Sequence, residues 1–319
     1  PIQMKRHYYQ MWNHTTHSIH VPDKDRYFGS NKRTSLEILQ DIIHEKRDQA
    51  EYVRDANGDY PECFVPNTDK ARTLANDVKS GKIKLSEAPV IYVGFPKTGT
   101  TTLWQFFECS GYMASHQQQG RAMMEENLVW GNTSLFDSKW MRMKRKELKI
   151  SKRKNETATF SADKVAHLQL DTNTNEGYYP QIQLLDELHQ EEPNSVFIMI
   201  FRPIESWIRS ANFHHGLSSR WAFFDMPGLI LSKEQLEQRA KTYLPKRERR
   251  PVLTEKQLHR WWCGHVQHIR EYVKEYPSHQ LIELDLRNDD DTSSILADIF
   301  QTESTCWSHH NKNEKLASV

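Results

Sequence analysis

The sequence lacks the features that mark membrane-spanning, metal-binding and nucleic-acid-binding chains. No apolar run approaches the roughly 18 residues that a membrane-spanning helix requires. Neither sign of charge is in excess, since 43 Lys and Arg residues stand against 42 Asp and Glu residues, and this balance disfavours a nucleic-acid partner. The four cysteines show no metal-ligand spacing, so we predict no metal site. What is present indicates a globular protein, because 9 Trp, 12 Tyr and 13 Phe argue against disorder.

The length of 319 residues suits one large domain, or one domain with an appendage. We expect residues 1–87 to form an N-terminal helical extension packed on the core, with helices near 34–54 and 69–79. Residues 88–319 then form the main domain. The chain begins at Pro1 rather than Met, which leaves room for a leader or membrane anchor removed from its N-terminus.

The most informative stretch runs from Val90 to Leu103. Its β-branched and aromatic start predicts a buried strand, a glycine-bearing loop follows, and a helix is predicted from Thr100. The first N–H groups of a helix have no intrahelical partner and the helix dipole favours negative charge there, so this arrangement predicts a phosphate cradle. Lys97 adds a cation. The other predicted cradle residues are Pro96, Thr98, Gly99, Thr100, Thr101 and Thr102.

This loop differs from the common nucleotide-triphosphate loop, in which the lysine follows the second glycine and a Ser or Thr binds magnesium. Here Lys97 precedes Gly99, and the pattern places no magnesium-binding serine. A Pro-Lys-Thr-Gly-Thr-Thr loop between strand and helix resembles the 5′-phosphosulfate loop of sulfotransferases. That resemblance implies 3′-phosphoadenosine 5′-phosphosulfate (PAPS) as the donor, with Lys97 as a catalytic residue and no metal.

A second motif strengthens the resemblance. The apolar run from Ser195 to Phe201 predicts a central parallel strand, and it ends in Arg202 before a predicted helix that carries Ser210. Sulfotransferases have such a strand, then Arg, then a helical serine eight positions later, which implies that Arg202 and Ser210 hold the 3′-phosphate of the donor. The forked donors of arginine suit a phosphate monoester. The resemblance covers roughly residues 88–313.

The resemblance also implies a fold and an activity. We expect an α/β fold of three layers, with a central, mainly parallel sheet flanked by helices. The implied reaction transfers the sulfuryl group of PAPS to a hydroxyl or amine of a carbohydrate or small-molecule acceptor, and residues 216–251 would form a lid on the acceptor side. The alternative is a phosphate-binding protein or kinase without sulfotransfer activity.

Near the C-terminus, residues 306–313 resemble the loop that closes over the nucleotide, which implies donor contacts from His309 and Asn311. This loop lacks the Arg-Lys-Gly sequence of the cytosolic class, which favours a resemblance to Golgi and protist sulfotransferases.

Two residues compete as the general base that takes the acceptor proton. His116 ends a predicted strand over 112–116, and its carboxyl end should lie beside the Lys97 loop. Imidazole titrates near neutral pH, which suits a base. Asp171 follows a predicted third strand over 165–170, where other branches of the resembled family carry the catalytic residue. The sequence leaves this choice open.

Three N-glycosylation sequons begin at Asn13, Asn132 and Asn155. Together with the missing cytosolic loop they favour a glycoprotein of the secretory pathway, in the Golgi lumen, with the cytoplasm as the alternative. A luminal location would allow one or two disulfides among the four cysteines.

Overall fold

A computed structural model describes residues 37–38, 62–85, 88–116, 142–143, 146, 161–168, 179–214, 217–223, 226–240 and 252–307. Its centre is a five-stranded sheet in which every neighbouring pair is parallel. The strands are β1 (Val90–Tyr92), β2 (Tyr112–Ser115), β3 (Ser161–His167), β4 (Val196–Phe201) and β5 (Gln280–Asp285). Their spatial order is β2-β3-β1-β4-β5.

Nine α-helices lie within the described ranges, most of them in the connections between strands. They are α1 (Thr68–Lys79), α2 (Thr100–Cys109), α3 (Pro180–Gln183), α4 (Leu185–Glu191), α5 (Ile204–Phe213), α6 (Leu217–Phe223), α7 (Lys233–Ala240), α8 (Glu255–Glu275) and α9 (Asp289–Phe300). Within these ranges no helix combines the length and apolarity needed to cross a membrane.

Both faces of the sheet are buried, as alternating residues of the strands show. Ile91 and Phe197 belong to one hydrophobic cluster, which also contains residues of α5, α6 and α8. Their strand neighbours Val90 and Ile198 belong to a second cluster, which contains residues of α1, α2 and α9. Successive strand residues point to opposite faces, so helices cover the sheet on both sides. This confirms the predicted three-layer α/β fold with a parallel sheet.

The first cluster is rich in aromatic rings. Phe95 lies 4.5 Å from the ring of Trp261, and Trp207 stacks on Trp221 with 5.6 Å between ring centroids. Trp221 lies in α6, inside the range 216–251 that was predicted as a lid, and it is fully buried. The beginning of that range is therefore part of the core, and the lid role of the range stays a prediction.

All four cysteines are paired, with one disulfide on each side of the sheet. Cys63 is bonded to Cys263 of α8, which ties the segment before α1 to the first cluster. Cys109, the last residue of α2, is bonded to Cys306 beyond α9, on the side of the second cluster. Each bond joins segments about 200 residues apart in the sequence.

The predicted bounds of an element agree with the structure where a local capping motif fixes them. The helix predicted to start at Thr254 is α8, and the side chain of Thr254 forms a capping box with Gln257. The third strand differs, since β3 ends at His167 rather than at residue 170. Its last pairings join His167 to Ile91 of β1 and to Ser115 of β2, so β3 ends where its pairing with both neighbours ends.

Candidate functional site

The site lies where the chain reverses direction across the sheet. β1 and β4 are neighbours, but β1 leads through α2 to β2 on one side and β4 leads towards β5 on the other. Connections that diverge in this way leave a crevice at the carboxyl ends of the two strands, which is where open α/β sheets bind ligands. Lys97 follows β1 and Arg202 follows β4, so both cations lie at this crevice.

The loop after β1 has an unusual backbone. Lys97 has a φ of 71° and Gly99 has a φ of 107°. The left-handed region is sparsely populated for a residue with a side chain, so Lys97 is held there by its surroundings. A Cβ on Gly99 would lie 3.2 Å from Leu286 Cδ1, so this position combines positive φ with little space. The turn at Gly99 starts α2 and directs the unpaired N–H groups of its first turn towards the crevice.

Hydrogen bonds inside the loop fix its shape. The Thr98 hydroxyl is buried, donates to the Phe95 carbonyl at 2.6 Å and contacts the Tyr92 hydroxyl. A Cβ on Gly94 would overlap the Tyr92 ring and hydroxyl, so glycine is needed where the loop passes over Tyr92. The Thr98 hydroxyl therefore acts within the loop, whereas the Lys97 ammonium and backbone N–H groups are available as donors to an anion.

Helix α5 and the residues at its two ends contact the same loop. Arg202 Nη1 donates to the Lys97 carbonyl at 3.1 Å, and the Trp207 indole N–H donates to the Pro96 carbonyl at 3.0 Å. At the far end of the helix, Lys97 Nζ lies 3.3 Å from His214 Nδ1. The loop after β1 is thus contacted by Trp207 of α5 and by Arg202 and His214, which lie just before and just after this helix.

The electrostatics of the crevice favour an anion. Burial lowers the pKa of Lys97, and the nearby charge of Arg202 lowers it further. Burial also lowers the pKa of Arg202, with a further contribution from Arg209. In the part of the chain that the structure describes, neither Lys97 nor Arg202 forms an ion pair with a carboxylate. Among the described residues, these two half-buried cations therefore have no compensating acid.

His116 is placed beside the start of α2. Its ring stacks on Trp104 with 5.6 Å between centroids, and its Nε2 lies 3.4 Å from Thr100 Oγ1. The structure therefore brings His116 to the first residue of α2, which directly follows the loop that carries Lys97. The competing base, Asp171, lies outside the described residues, as do His309 and Asn311.

The 3′-phosphate residues predicted from sequence are both on or next to α5. Arg202 precedes this helix, and the half-buried Ser210 lies about two turns along it. Arg202 Nε donates to Ser206 Oγ at 2.9 Å, a contact that the sequence reasoning missed. Arg202 lies before the first residue of α5, so the i,i+4 rule for a helix face does not predict this contact. No local sequence signal indicates the Trp207 and His214 contacts, because they cross to another element.

The geometry agrees with a comparison against protein families. The model of a family described as a sulfotransferase domain matches residues 89–289. This match spans more than half of the chain, so the protein belongs to the sulfotransferase family. Searches of curated proteins and of solved structures gave no match. Within the described ranges no three His, Cys, Asp or Glu side chains are grouped so that they could hold a metal ion.

Proposed function

We propose that this protein transfers the sulfuryl group of PAPS to a hydroxyl or amine of a carbohydrate or small-molecule acceptor. The observation that carries the proposal is the pairing of the two motifs, in which Arg202 Nη1 donates to the carbonyl of Lys97 at 3.1 Å. The two cations have no acidic partner among the described residues, and a donor with anionic groups at two positions would supply the missing charge.

The residues present fit such a donor. Lys97, the backbone N–H groups of its loop and the first turn of α2 would hold the 5′-phosphosulfate, since a helix N-terminus and a lysine together favour an oxyanion. Arg202 and Ser210 would hold the 3′-phosphate, with His309 and Asn311 contributing from the C-terminal loop. Selection of PAPS over ADP and ATP would follow from Arg202, because those nucleotides lack a 3′-phosphate.

Bound PAPS supplies an activated sulfuryl group whose leaving group is a phosphate. Lys97 and the loop N–H groups stabilise the negative charge that develops on the leaving oxygen, which is preorganised electrostatic catalysis. His116 or Asp171 accepts the proton of the attacking hydroxyl or amine. Positioning and charge neutralisation do most of the work, as in phosphoryl transfer, and the proposal requires no metal.

We also propose that the protein acts in the secretory pathway, in the lumen of the Golgi. The pairing of all four cysteines supports an oxidising compartment, since disulfides persist there and are rare in the cytosol. The cytoplasm is the alternative. Mass analysis after alkylation without reduction tests this, because four free thiols in protein isolated from its native cell would argue for the cytoplasm.

The donor assignment is tested by calorimetric binding of 3′-phosphoadenosine 5′-phosphate (PAP), with ADP as the control ligand. Wild type should prefer PAP. Arg202→Ala should weaken PAP binding by roughly 10- to 150-fold, the value of one charged hydrogen bond of about 1.5–3 kcal/mol. Arg72→Ala is the matched control, since Arg72 lies on α1 and pairs with Asp291. Equal affinity of wild type for PAP and ADP would contradict the proposal and favour the phosphate-binding or kinase alternative.

A further inference from the structure

The His214 side chain contacts the Lys97 ammonium, at 3.3 Å between Nζ and Nδ1. It follows the last residue of α5, and its own backbone is fixed on both sides. The His214 N–H donates to the Ser210 carbonyl at 3.0 Å, and the His214 carbonyl accepts from Arg220 Nη2 at 3.4 Å. The imidazole is therefore presented to Lys97 by a fixed backbone rather than by a free loop.

The chemistry of the contact defines the form of the imidazole. A lysine ammonium has three N–H donors and no acceptor, so Nδ1 of His214 must be the acceptor and the ring proton lies on Nε2. One N–H of Lys97 is then used by His214, and two are left for the anionic end of a donor. The contact therefore does not compete with donor binding.

The contact also reduces the entropy that the Lys97 side chain loses when it binds an anion. Its four-carbon stem has a large rotamer entropy, and part of it is lost when the ammonium is placed on a ligand. The hydrogen bonds that Arg202 and Trp207 donate to the loop are accepted by backbone carbonyls. Their hydrogen bonds fix the backbone position of Lys97, whereas the hydrogen bond to His214 fixes the position of its ammonium group.

We propose that His214 is the positioning residue of Lys97, holding the ammonium at the crevice before the donor arrives. This inference rests on the proposed function, because the benefit appears when the 5′ end of a PAPS-like nucleotide binds. A role of His214 as the acceptor's base would need its free lone pair to face the acceptor, whereas that lone pair is directed to Lys97.

The test compares two probes that differ only at the 5′ end. PAP has both phosphates, whereas adenosine 3′-phosphate lacks the 5′-phosphate that Lys97 would meet. His214→Ala should weaken PAP binding by roughly 3- to 30-fold, up to the rotamer entropy of one lysine side chain, and should leave adenosine 3′-phosphate within twofold. His214→Asn should restore most of the PAP affinity, because its amide oxygen can take the place of Nδ1.

Two further variants separate positioning from a structural role. Phe213→Ala is the control, since Phe213 is the adjacent residue and is 76% exposed. In a Lys97→Met background, His214→Ala should have no further effect on PAP binding, since a residue that acts through Lys97 loses its effect with it.

Each outcome has one meaning. If His214→Ala binds PAP as wild type does, or binds both probes equally weakly, or if Asn fails to restore binding or the effect persists without Lys97, the inference is overturned and the proposed function stands. If wild type shows no preference for PAP over ADP, the proposed function fails, and the inference fails with it.

Discussion

Lys97→Met should raise the free energy of unfolding and at the same time lower the affinity of the site for the donor. The Lys97 ammonium is half-buried next to Arg202, and burial and that charge both lower its pKa below the ordinary lysine value. A lysine whose pKa is lower in the folded than in the unfolded protein destabilises the fold while it carries its charge. Methionine keeps an unbranched apolar stem and removes the charge. The ligand-free variant should therefore have a larger free energy of unfolding than wild type.

The pH dependence of this difference follows from the same shift. Below the folded-state pKa of Lys97 both states are protonated and the full charge penalty is present. As the pH rises through that pKa, the folded protein loses the proton before the unfolded chain does, so wild type gains stability relative to the variant. The advantage of Lys97→Met should thus be largest near neutral pH and should shrink towards pH 10.5, the ordinary lysine value.

Donor binding should change in the opposite direction. Loss of one hydrogen bond from a charged donor costs about 1.5–3 kcal/mol, so PAP affinity should fall roughly 10- to 150-fold. Turnover should fall by about 10²- to 10³-fold, as on removal of one donor to a developing oxyanion. Thermal unfolding without ligand and calorimetry with PAP measure the two effects. Lys79→Met is the control, since Lys79 is 70% exposed and pairs with Asp298. A Lys97→Met variant that is less stable than wild type, or that binds PAP equally well, would refute the reasoning.

Three further predictions concern the base, the loop and a disulfide. His116→Gln or Asp171→Asn, whichever removes the base, should lower turnover by about 10²- to 10⁴-fold and leave PAP affinity unchanged, and full activity of the double variant would exclude both residues. Gly99→Ala should cost about 1–3 kcal/mol in urea unfolding, because its φ is 107°, and a stability equal to wild type would contradict the strain argument. Replacing Cys109 and Cys306 by serine should lower the free energy of unfolding by about 2–5 kcal/mol, and a variant that loses no stability under oxidising conditions would contradict this.

Much of the fold follows from short-range patterns. The run of β4 is apolar without alternation because both of its faces are buried, and this is what predicted a central parallel strand. The loop around Lys97 can also be predicted from a short stretch, because the strand, the glycine-bearing loop and the start of the helix are consecutive in the chain. Thr254 and Gln257 are three residues apart and form a capping box, so the start of α8 can also be predicted from the sequence.

What could not be predicted depends on contacts between distant segments. Four cysteines allow three pairings, and only the folded chain distinguishes them. The Lys97–His214 contact spans 117 residues, and its partners have no common motif. Burial of Trp221 inside the range predicted as a lid has the same origin, since an aromatic residue that packs on a distant core resembles one that faces a substrate.

The placement of α5 explains why the two motifs act as one site. The helix begins beside Arg202, which would meet the 3′-phosphate, and ends beside His214, which contacts Lys97 at the proposed 5′ end. Between them Trp207 is fully buried and hydrogen-bonded to the loop, so the helix cannot shift at one end without disturbing the other. Arg202 at the start of this packed helix and Lys97, which contacts His214 at its end, should together favour a ligand whose anionic groups reach both cations. A nucleotide with only one of these groups would leave one half-buried cation without a partner, so the spacing set by α5 should itself contribute to donor selectivity.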